Sequence, residues 1–470
     1  MTRFGAELRA VETSIPGLLL WDLPVHGDNR GWFKENWQRE KMVSAGLPDF
    51  APVQNNISFN DAVGTTRGIH AEPWDKWVSV ASGRIFGAWV DLREGESFGT
   101  VFTAEIDPSR AVFIPRGVGN AYQTLEPDTS YVYLVNDHWS PTASYTFLNL
   151  ADETAAVPWP IDLSRAEISD KDRGHPRLAE VVPMPARKTL VLGAGGQLGS
   201  ALRRRFGADP SFEFTTRAEL DITSDDLPLQ RHWRDYDVII NAAAYTAVDA
   251  AESPEGRAAA WETNSTSVAR LSALCASQGI TLVQISSDYV FDGQKPSPYV
   301  EDDAVAPLGV YGQTKAAGDA AAGIAPRHYV VRTSWVVGDG KNFVRTMIGL
   351  AERGIDPAVV ADQYGRLTFA DDIVRGIEHL IAVQAPFGVY NLTSSGDVGS
   401  WADIARSVFR LVGHDPERVG STTAAAYAAS AAAPTAPRPR NSMLDLAKIE
   451  ATGFALPDWQ TGLERYVASL

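Results

Sequence analysis

The sequence predicts a multidomain protein in which an all-β domain precedes a parallel α/β domain. Between about residues 15 and 150, short β-rich segments such as WVSVAS and IFGAWVDL alternate with Gly, Pro, Asp and Asn breaks. Strands at this spacing are typical of an antiparallel sandwich or barrel. From KTLVLGAGGQLGSALRRRF onward, apolar strands alternate with helical stretches, which indicates a parallel sheet.

The domain boundary is predicted in the segment AEVVPMPARK, residues 179–188. This segment carries two prolines and shows no hydrophobic periodicity, as expected of a linker. We therefore expect domains at residues 1–185 and 186–470. The Ala-rich stretch 421–440 ends in alternating prolines, and we expect it to form a mobile loop.

Composition excludes several classes of protein. The net charge of −16 argues against a nucleic-acid backbone as partner, because such binding depends on a basic surface. No apolar run approaches the ~18 residues of a membrane span. The N-terminus lacks the apolar core of a signal peptide, and the one cysteine, Cys275, cannot form an internal disulfide. We expect a cytoplasmic protein that binds neither membranes nor nucleic acid.

The glycines at 193, 196 and 199 lie between a predicted strand and a predicted helix. Glycines there let the backbone approach a pyrophosphate, which the helix N-terminus stabilises, although the same spacing also forms ordinary tight turns. About twenty residues on, Arg217 could hold the 2′-phosphate of NADP, and Asp221 could lie near the adenine or cap a turn. We expect NADPH, with NADH as the alternative. The predicted cofactor-binding residues are Gly193, Gly196, Gln197, Leu198, Gly199, Arg217, Asp221, Ala242, Ala243, Tyr311 and Lys315.

Tyr311 and Lys315 carry the predicted chemistry of the C-terminal domain. Their i, i+4 spacing places both side chains on one helix face, and a neighbouring ammonium favours the phenolate of a tyrosine. Such a pair can protonate a ketone oxygen while hydride reaches its carbon. A surface Tyr and Lys four residues apart are common in any helix. Ser286, Ser287 and Asp288 at the end of a predicted strand nevertheless offer further groups to the same ligand.

The C-terminal half resembles dTDP-4-dehydrorhamnose reductase, an extended short-chain dehydrogenase, from about residue 188 onward. The resemblance rests on NAAAYTAVDAAE, SSDYVFDG, YGQTK, RTSWVVG, ADQYGRLT and RPRNSMLD. It implies a Rossmann fold with a small substrate-binding lobe, Tyr311 as proton donor, Lys315 as its support, Ser287 as a catalytic hydroxyl and Trp335 as a substrate contact. A magnesium ion at a reductase dimer contact is a further expectation. Leu367 departs from the family, which has proline there.

His70, in RGIHAEPWDKWV, admits three readings: a base, a metal ligand or a core residue. The eight histidines are scattered, and no second histidine lies within a few positions, which argues against a His-rich metal site. A buried structural histidine is the plainer alternative. Against it, Arg67, His70, Glu72 and Lys76 form a group of charges that a core seldom collects.

The N-terminal half resembles dTDP-4-dehydrorhamnose 3,5-epimerase over about residues 12–180. The resemblance rests on GDNRGWFKE, QNN, RGIH, DKWV, FIPRGVGNAYQTL, YVYLVNDHWSP and ISDKD. It implies a cupin-like jelly roll without a metal, a homodimer formed by strand exchange, and His70 as the base that takes the proton alpha to the C4 ketone. Asp172 orients His70, with Asp170 as the second candidate. Tyr133 is the opposite acid and Lys76 stabilises the enolate, while the substrate-binding set is Arg30, Glu35, Gln54, Asn56, Arg67, Asn120 and Lys171.

Two positions depart from this second family. Asn120 stands where the family carries a second histidine, and an asparagine cannot take a proton. Ser144 lies near a position where the family has glutamate. These departures leave open whether both carbons are epimerised.

The two resemblances describe successive steps on a dTDP-sugar, so our first hypothesis is a bifunctional enzyme of dTDP-L-rhamnose synthesis. A second hypothesis keeps only the reductase active and makes the N-terminal domain a degenerate binding or dimerisation module. A third is a nucleotide-binding regulatory subunit, against which the intact Tyr311 and Lys315 pair argues.

Overall fold

A computed structural model describes residues 4–139, 143, 145–431 and 435–470 of the chain. It divides into two compact units, Met1–Ala186 and Arg187–Leu470. Among the described residues, no helix has both the length and the apolar character that a membrane span requires.

The N-terminal unit is built from two antiparallel sheets, of six strands in the order β1-β2-β10-β7-β12-β5 and five in the order β13-β6-β11-β8-β9. The elements are β1 (Arg9–Glu12), β2 (Leu19–Asp22), β3 (Val25–Asp28), β4 (Gly31–Lys34), α1 (Arg39–Ser44), β5 (Gln54–Asn60), β6 (Thr66–Ala71), β7 (Lys76–Ser82), β8 (Ile85–Asp91), β9 (Val101–Ile106), β10 (Arg110–Ile114), β11 (Val118–Thr124), β12 (Thr129–Val135), β13 (Thr146–Phe147) and α2 (Asp170–Arg173). Strands β3 and β4 form a separate hairpin.

The sheets of this unit pack around large aromatic side chains. Trp21, Trp77 and Trp89 are almost completely buried, and the rings of Trp21 and Trp77 meet edge to face at 5.6 Å. Strand β5 alternates between half-buried and exposed side chains, as a strand at the edge of a sheet does when one of its faces is covered. The all-β architecture expected from the sequence is confirmed.

The C-terminal unit is a six-stranded parallel sheet in the order β15-β14-β16-β17-β18-β23, with helices between the strands and a lobe of small two-stranded sheets. The elements are β14 (Lys188–Leu192), α3 (Gln197–Phe206), β15 (Phe212–Thr215), β16 (Tyr236–Asn241), α4 (Pro254–Trp261), α5 (Ser267–Gln278), β17 (Thr281–Ser287), α6 (Val310–Ala322), β18 (His328–Thr333), β19 (Val336–Val337), α7 (Phe343–Glu352), β20 (Ala358–Val360), β21 (Tyr364–Gly365), β22 (Thr368–Phe369), α8 (Ala370–Ala382), β23 (Gly388–Asn391), β24 (Gly399–Ser400), α9 (Trp401–Leu411), β25 (Gly420–Thr422), α10 (Ala424–Ser430), α11 (Ala447–Glu450) and α12 (Trp459–Ala468).

Strand order explains where this unit can bind a ligand. Strand β14 lies between β15 on one side and β16 on the other, so the chain changes direction across the sheet at β14. Open parallel sheets bind ligands beyond the carboxyl ends of their strands at such a switch point. The parallel α/β class expected from the sequence is confirmed.

The prediction of a loop over 421–440 is wrong in part. The stretch contains the end of β25 and the helix α10, whose first turn is capped by the Thr423 hydroxyl accepting from the Ala426 N–H. Alanine has the highest helix propensity, so an Ala-rich segment with a threonine cap forms a helix despite its low complexity.

Gly199 lies where α3 packs closely against the glycine turn that follows β14. A Cβ atom at this position would lie 2.3 Å from the Gly193 carbonyl oxygen, whereas one at Gly195 would meet nothing within 4 Å. We expect Gly199→Ala to lower the free energy of unfolding of the C-terminal unit by about 1–3 kcal/mol, and Gly195→Ala to change it much less. Urea denaturation of the two variants measures this difference, and equal losses would contradict the close-contact argument.

Candidate active sites

One cavity in the N-terminal unit gathers five of the eleven side chains predicted to act there. Its volume is about 560 Å³. Strand β5 brings Gln54 and Asn56, β6 brings His70, and β12 brings Tyr133, which lies directly opposite Asn56 in the pairing of the two strands. The lining is Gln54, Asn56, His70, Glu72, Trp74, Tyr133, Val135, Trp139, Tyr145, Phe147 and Lys171.

His70, which lines this cavity, forms a hydrogen-bonded pair with the buried Asp172. Nε2 of His70 lies 2.9 Å from Oδ1 of Asp172, and the other carboxylate oxygen accepts the backbone N–H of Gly68 at 3.1 Å. Ser169 caps the short helix α2 and so fixes the position of Asp172. Burial raises the pKa of the Asp172 carboxyl, but the bonds from His70 and Gly68 outweigh burial and hold the pKa below its ordinary value. The carboxylate that orients His70 is therefore that of Asp172, and it stays ionised near neutral pH.

Lys76 and Tyr133 lie near each other on neighbouring strands. The Lys76 ammonium forms a buried ion pair with Glu72 and lies 5.7 Å from the centre of the Tyr133 ring. Burial, followed by the negative charge of Glu72 and the Tyr122 hydroxyl, raises the pKa of Tyr133. Tyr133 is thus protonated at neutral pH and can donate a proton. Lys76 does not line the cavity itself, but its ion-pair partner Glu72 does.

A second cavity, of about 310 Å³, lies at the switch point of the parallel sheet in the C-terminal unit. The glycine turn after β14, the end of β15 and the end of β16 all contribute to its lining. Arg217 and Asp221 form an ion pair at its edge, with Nε of Arg217 3.1 Å from the carboxylate. The predicted cofactor residues in this lining are Gly193, Gly196, Arg217, Asp221, Ala242 and Ala243.

Three other predicted cofactor residues support this cavity without lining it. Leu198 is buried in the hydrophobic core between α3 and the sheet, and Gly199 permits the close packing described above. The Gln197 side chain donates weakly, at 3.4 Å, to the Lys341 carbonyl. A leucine after a glycine turn is part of the helix face that packs on the sheet, so Leu198 cannot offer its side chain to a ligand.

Tyr311 and Lys315 lie on α6 beside the end of β17. Lys315 is buried, and its ammonium donates to the Ile285 carbonyl at 2.5 Å. Burial lowers the pKa of Lys315 to about 8, against the opposing charge of Asp319. At the strand end, Ser287 donates to the Asp288 carboxylate at 3.1 Å. Burial also raises the pKa of Asp288 to about 6.

The sequence argument expected the Lys315 ammonium to favour the Tyr311 phenolate, and the structure gives the opposite direction. The pKa of Tyr311 is raised, first by desolvation and then by the nearby Asp288 and Tyr289. The ammonium is held by a backbone carbonyl and does not offset these effects. Tyr311 is therefore protonated at neutral pH, which is the state that a proton donor requires.

A third cavity, of about 730 Å³, opens beside Tyr289 in the C-terminal unit. Arg438 and Trp401 line it, and Arg438 is paired with Asp249 at 2.9 Å. Trp335 does not line it but stacks on Trp401 with ring centres 3.8 Å apart. The cavity offers apolar and aromatic walls with an arginine at one side, as an anionic ligand with a planar ring would require.

Comparison with known proteins assigns a family to each unit. A family model described as dTDP-4-dehydrorhamnose 3,5-epimerase matches residues 12–180, and one described as RmlD substrate binding domain matches residues 187–470. The chain is 51% identical over 177 residues to Protein RmlC homolog of Streptococcus pyogenes serotype M6, across 36% of this chain and 89% of that protein. It is 37% identical over 304 residues to dTDP-4-dehydrorhamnose reductase of Sinorhizobium fredii, across 60% of this chain and 97% of that protein.

The chain belongs to both families, one in each unit. A solved dTDP-4-dehydrorhamnose reductase from Bacillus anthracis, in complex with NADP, superposes on the reductase domain with a TM-score of 0.56. The two chains are 31% identical, and the match covers 61% of this chain and all of that one. The two resemblances drawn from sequence are thereby confirmed.

Four predicted substrate contacts of the epimerase domain do not line its cavity, namely Arg30, Glu35, Arg67 and Asn120. Arg30 is exposed and paired with Asp28, Glu35 is paired with Lys41, and Arg67 donates to the Asn60 side chain. Arg30 and Glu35 belong to the hairpin region, which leaves the sheet, so their distance from His70 could not be read from spacing along the chain.

Asn120 is buried and fully engaged within the epimerase domain. Its carbonyl oxygen accepts from the Trp89 ring N–H at 3.0 Å, and its amide donates to the Tyr131 hydroxyl at 3.0 Å. The prediction that Asn120 binds substrate is therefore not supported by its contacts, because both polar groups are used by the core. Ser144, the other departure, lies outside the described residues.

Several residues of both sites were missed by sequence reasoning. His175 lies beside Asp172 and His70, and the only sequence signal was its spacing of three residues after Asp172 in KDRGHP. In the reductase domain, Tyr289, Trp401 and Arg438 line the large cavity. Tyr289 and Arg438 fall within motifs quoted above, but nothing in their local spacing indicated that they meet.

Proposed function

We propose that this chain catalyses two successive reactions on dTDP-4-dehydro-6-deoxyglucose. The epimerase domain inverts C3 and C5, and the reductase domain then reduces the C4 ketone with NAD(P)H to give dTDP-L-rhamnose. The observation that carries the proposal is that one chain contains two complete acid–base sets. His70, which is hydrogen-bonded to Asp172, lines a cavity together with Tyr133, and Tyr311 lies with Lys315 and Ser287 in a dinucleotide-binding fold.

In the epimerase domain, His70 acts as the base on the carbon next to the ketone. Asp172 holds the ring in one tautomer and stabilises the imidazolium that forms, because an ionised carboxylate faces Nε2 at 2.9 Å. Tyr133, whose raised pKa keeps it protonated, returns a proton from another wall of the cavity. Lys76 provides a fixed positive charge behind the developing enolate, tempered by its partner Glu72.

In the reductase domain, Tyr311 donates the proton to the C4 oxygen while the nicotinamide supplies the hydride. Ser287 adds a hydroxyl at the same strand end. Lys315 is fixed by the Ile285 carbonyl, and its ammonium is placed to bind ribose hydroxyls and to supply positive charge as Tyr311 loses its proton. Arg438 and Trp401 are suited to the diphosphate and thymine of the substrate in the large cavity.

The cofactor is proposed to be NADPH. Gly193, Gly195 and Gly196 line the switch-point cavity with backbone, and open space faces the Cβ position of Gly195, so a pyrophosphate fits there. Arg217 lines the same cavity as the glycine turn, and its guanidinium suits the 2′-phosphate of an adenosine ribose. For magnesium, no close group of three His, Cys, Asp or Glu side chains is found among the described residues of the reductase domain, so no residues are assigned to such an ion.

We also propose that the epimerase domain forms a homodimer. Ile57 and Phe59 on the outer side of edge strand β5, and Phe33 in the β3–β4 hairpin, are 68%, 59% and 66% exposed. Exposed apolar side chains at the edge of a sheet are typical of a protein interface. Strand exchange there would carry Arg30 and Glu35 into the other copy's cavity.

The buried Cys275 supports a cytoplasmic location.

Solvent exchange tests the epimerase half. In deuterated water without nicotinamide, we expect the protein to incorporate deuterium at C3 and C5 of dTDP-4-dehydro-6-deoxyglucose. NMR measures the rate of this incorporation at each carbon. Asp172→Asn should slow exchange about 1,000-fold, because His70 then lacks its carboxylate. Asp170→Asn, two residues away and exposed, is the matched control and should keep the parental rate.

Tyr311→Phe serves as the control for the other half. It should retain deuterium exchange and lose ketone-dependent NADPH oxidation about 1,000-fold. Absence of exchange in the parent protein would leave only the reductase, and exchange at one carbon alone would give a different deoxysugar. Unchanged NADPH oxidation in Tyr311→Phe would remove Tyr311 as the acid.

Arg217→Ala tests the cofactor preference. Loss of the guanidinium should raise KM for NADPH about ten-fold and leave KM for NADH nearly unchanged, since only NADPH carries the 2′-phosphate. Steady-state kinetics with each cofactor measures both values. A parallel change for the two cofactors would show that Arg217 does not read the phosphate.

Sedimentation velocity tests the dimer. Ile57→Glu combined with Phe59→Glu should convert a dimer to a monomer, because charges would be buried at the contact. Val182→Glu, at a more exposed valine of the same unit, is the control and should leave the parental state. A parent protein that sediments as a monomer would contradict the proposal.

A further inference from the structure

His175 completes a group of three metal-ligand side chains at the base of the epimerase cavity. Its Nε2 lies 3.8 Å from Oδ1 of Asp172, and its ring centre lies 5.3 Å from that of His70. One ligand atom from each of the three residues lies within 4.8 Å of the other two. Two imidazoles and a carboxylate are a donor set that zinc commonly takes.

The His175 side chain is buried and its ring nitrogens make no hydrogen bond of normal geometry. Their polar surroundings are the Asp172 carboxylate and the Leu148 backbone. A buried imidazole in this condition is costly unless some ligand or ion satisfies it. The described structure therefore contains unpartnered ring nitrogens beside a carboxylate and a second imidazole, and a lone pair on one of them can bind a cation.

The three side chains are held in place by the rest of the domain. Asn149 donates to the carbonyl of His175 at 2.9 Å and also to the carbonyl of Arg173, which fixes the backbone around the histidine. Phe147 stacks on the His175 ring at 4.8 Å and meets the His70 ring edge to face at 5.8 Å. The backbone at His175 and the two imidazole rings are thus positioned by hydrogen bonds and aromatic packing.

We propose that His70, Asp172 and His175 bind a divalent cation of the zinc class, and that this cation inhibits the epimerase. Tetrahedral zinc with bonds near 2.0–2.1 Å separates its ligand atoms by about 3.3 Å. The separations of 2.9 and 3.8 Å from the Asp172 oxygen bracket this value. The fourth position is left for water from the cavity that His70 lines.

Inhibition follows from the tautomer of His70. When Nε2–H donates to Asp172, the lone pair on Nδ1 is free to accept a substrate proton. A cation on Nε2 displaces that hydrogen, and the neutral ring then carries its hydrogen on Nδ1. The lone pair needed for proton abstraction is lost. Lys171, whose ammonium lies 5.2 Å from the Phe147 ring centre, repels a cation and limits its affinity.

Cobalt binding to the full chain tests the site without depending on the proposed function. Titration with CoCl2 should give visible absorption bands of a tetrahedral complex at one equivalent per chain. His175→Gln and His70→Gln should each weaken binding by at least about ten-fold, and ZnCl2 should remove the bands from the parent. His232→Gln, at a surface histidine of the other unit, is the control and should bind as the parent does.

The inhibition arm rests on the proposed epimerase and uses the deuterium-exchange assay. Zinc should inhibit exchange by the parent and by His232→Gln, and the chelator EDTA should restore each rate. His175→Gln, compared with its own metal-free rate, should need at least about ten-fold more zinc. No cobalt bands in the parent, or bands unchanged in both His70→Gln and His175→Gln, would overturn the site. Cobalt binding with exchange unaffected by zinc would overturn the inhibition, and His70→Gln still decides the site if His175→Gln fails to fold.

Discussion

Burial of charge constrains both sites of this protein. Asp172 is almost completely buried, yet it stays ionised because His70 and the Gly68 N–H both bond its carboxylate. A buried charge without such partners would neutralise instead. The same constraint explains why the buried ammonium of Lys76 is paired with the carboxylate of Glu72. The buried charges of Asp172 and Lys76 are therefore each held by partners that stabilise the charged form.

The reductase domain meets this constraint with a longer network. Asp319 lies one helical turn after Lys315 and is bonded to the buried Arg332 at 3.0 Å. The charge of Asp319 favours the ammonium of Lys315, while burial opposes it, and the net effect leaves the pKa of Lys315 at about 8. Tyr311 keeps its proton for a related reason, since burial and the nearby Asp288 both disfavour a phenolate.

Asn120 illustrates how a substituted position is absorbed. Its amide bonds Trp89 and Tyr131, and the Tyr131 ring lies 5.7 Å from that of Tyr133. The asparagine is thus connected to the proposed proton donor, Tyr133, only through the ring of Tyr131. The imidazole that lies beside His70, the proposed base, is instead that of His175, near the C-terminal end of the domain. The sequence alone could not link the asparagine at position 120 to the histidine at position 175.

Local sequence determined the elements of both domains and several pairs of reactive side chains. Alternating apolar residues specify strands, a glycine turn between strand and helix specifies a nucleotide fold, and an i, i+4 spacing places Tyr311 and Lys315 on one helix face, because these patterns act over a few residues. Tertiary structure alone decided which distant groups meet. His70 meets Asp172 and His175 although about a hundred residues separate them along the chain. Leu198 packs in the core, while Gly199 allows the helix to approach the strand closely. Both outcomes depend on the whole fold, because burial and pairing do. The direction of the Tyr311 pKa was decided in the same way, since spacing records a neighbouring charge but not the desolvation that outweighs it.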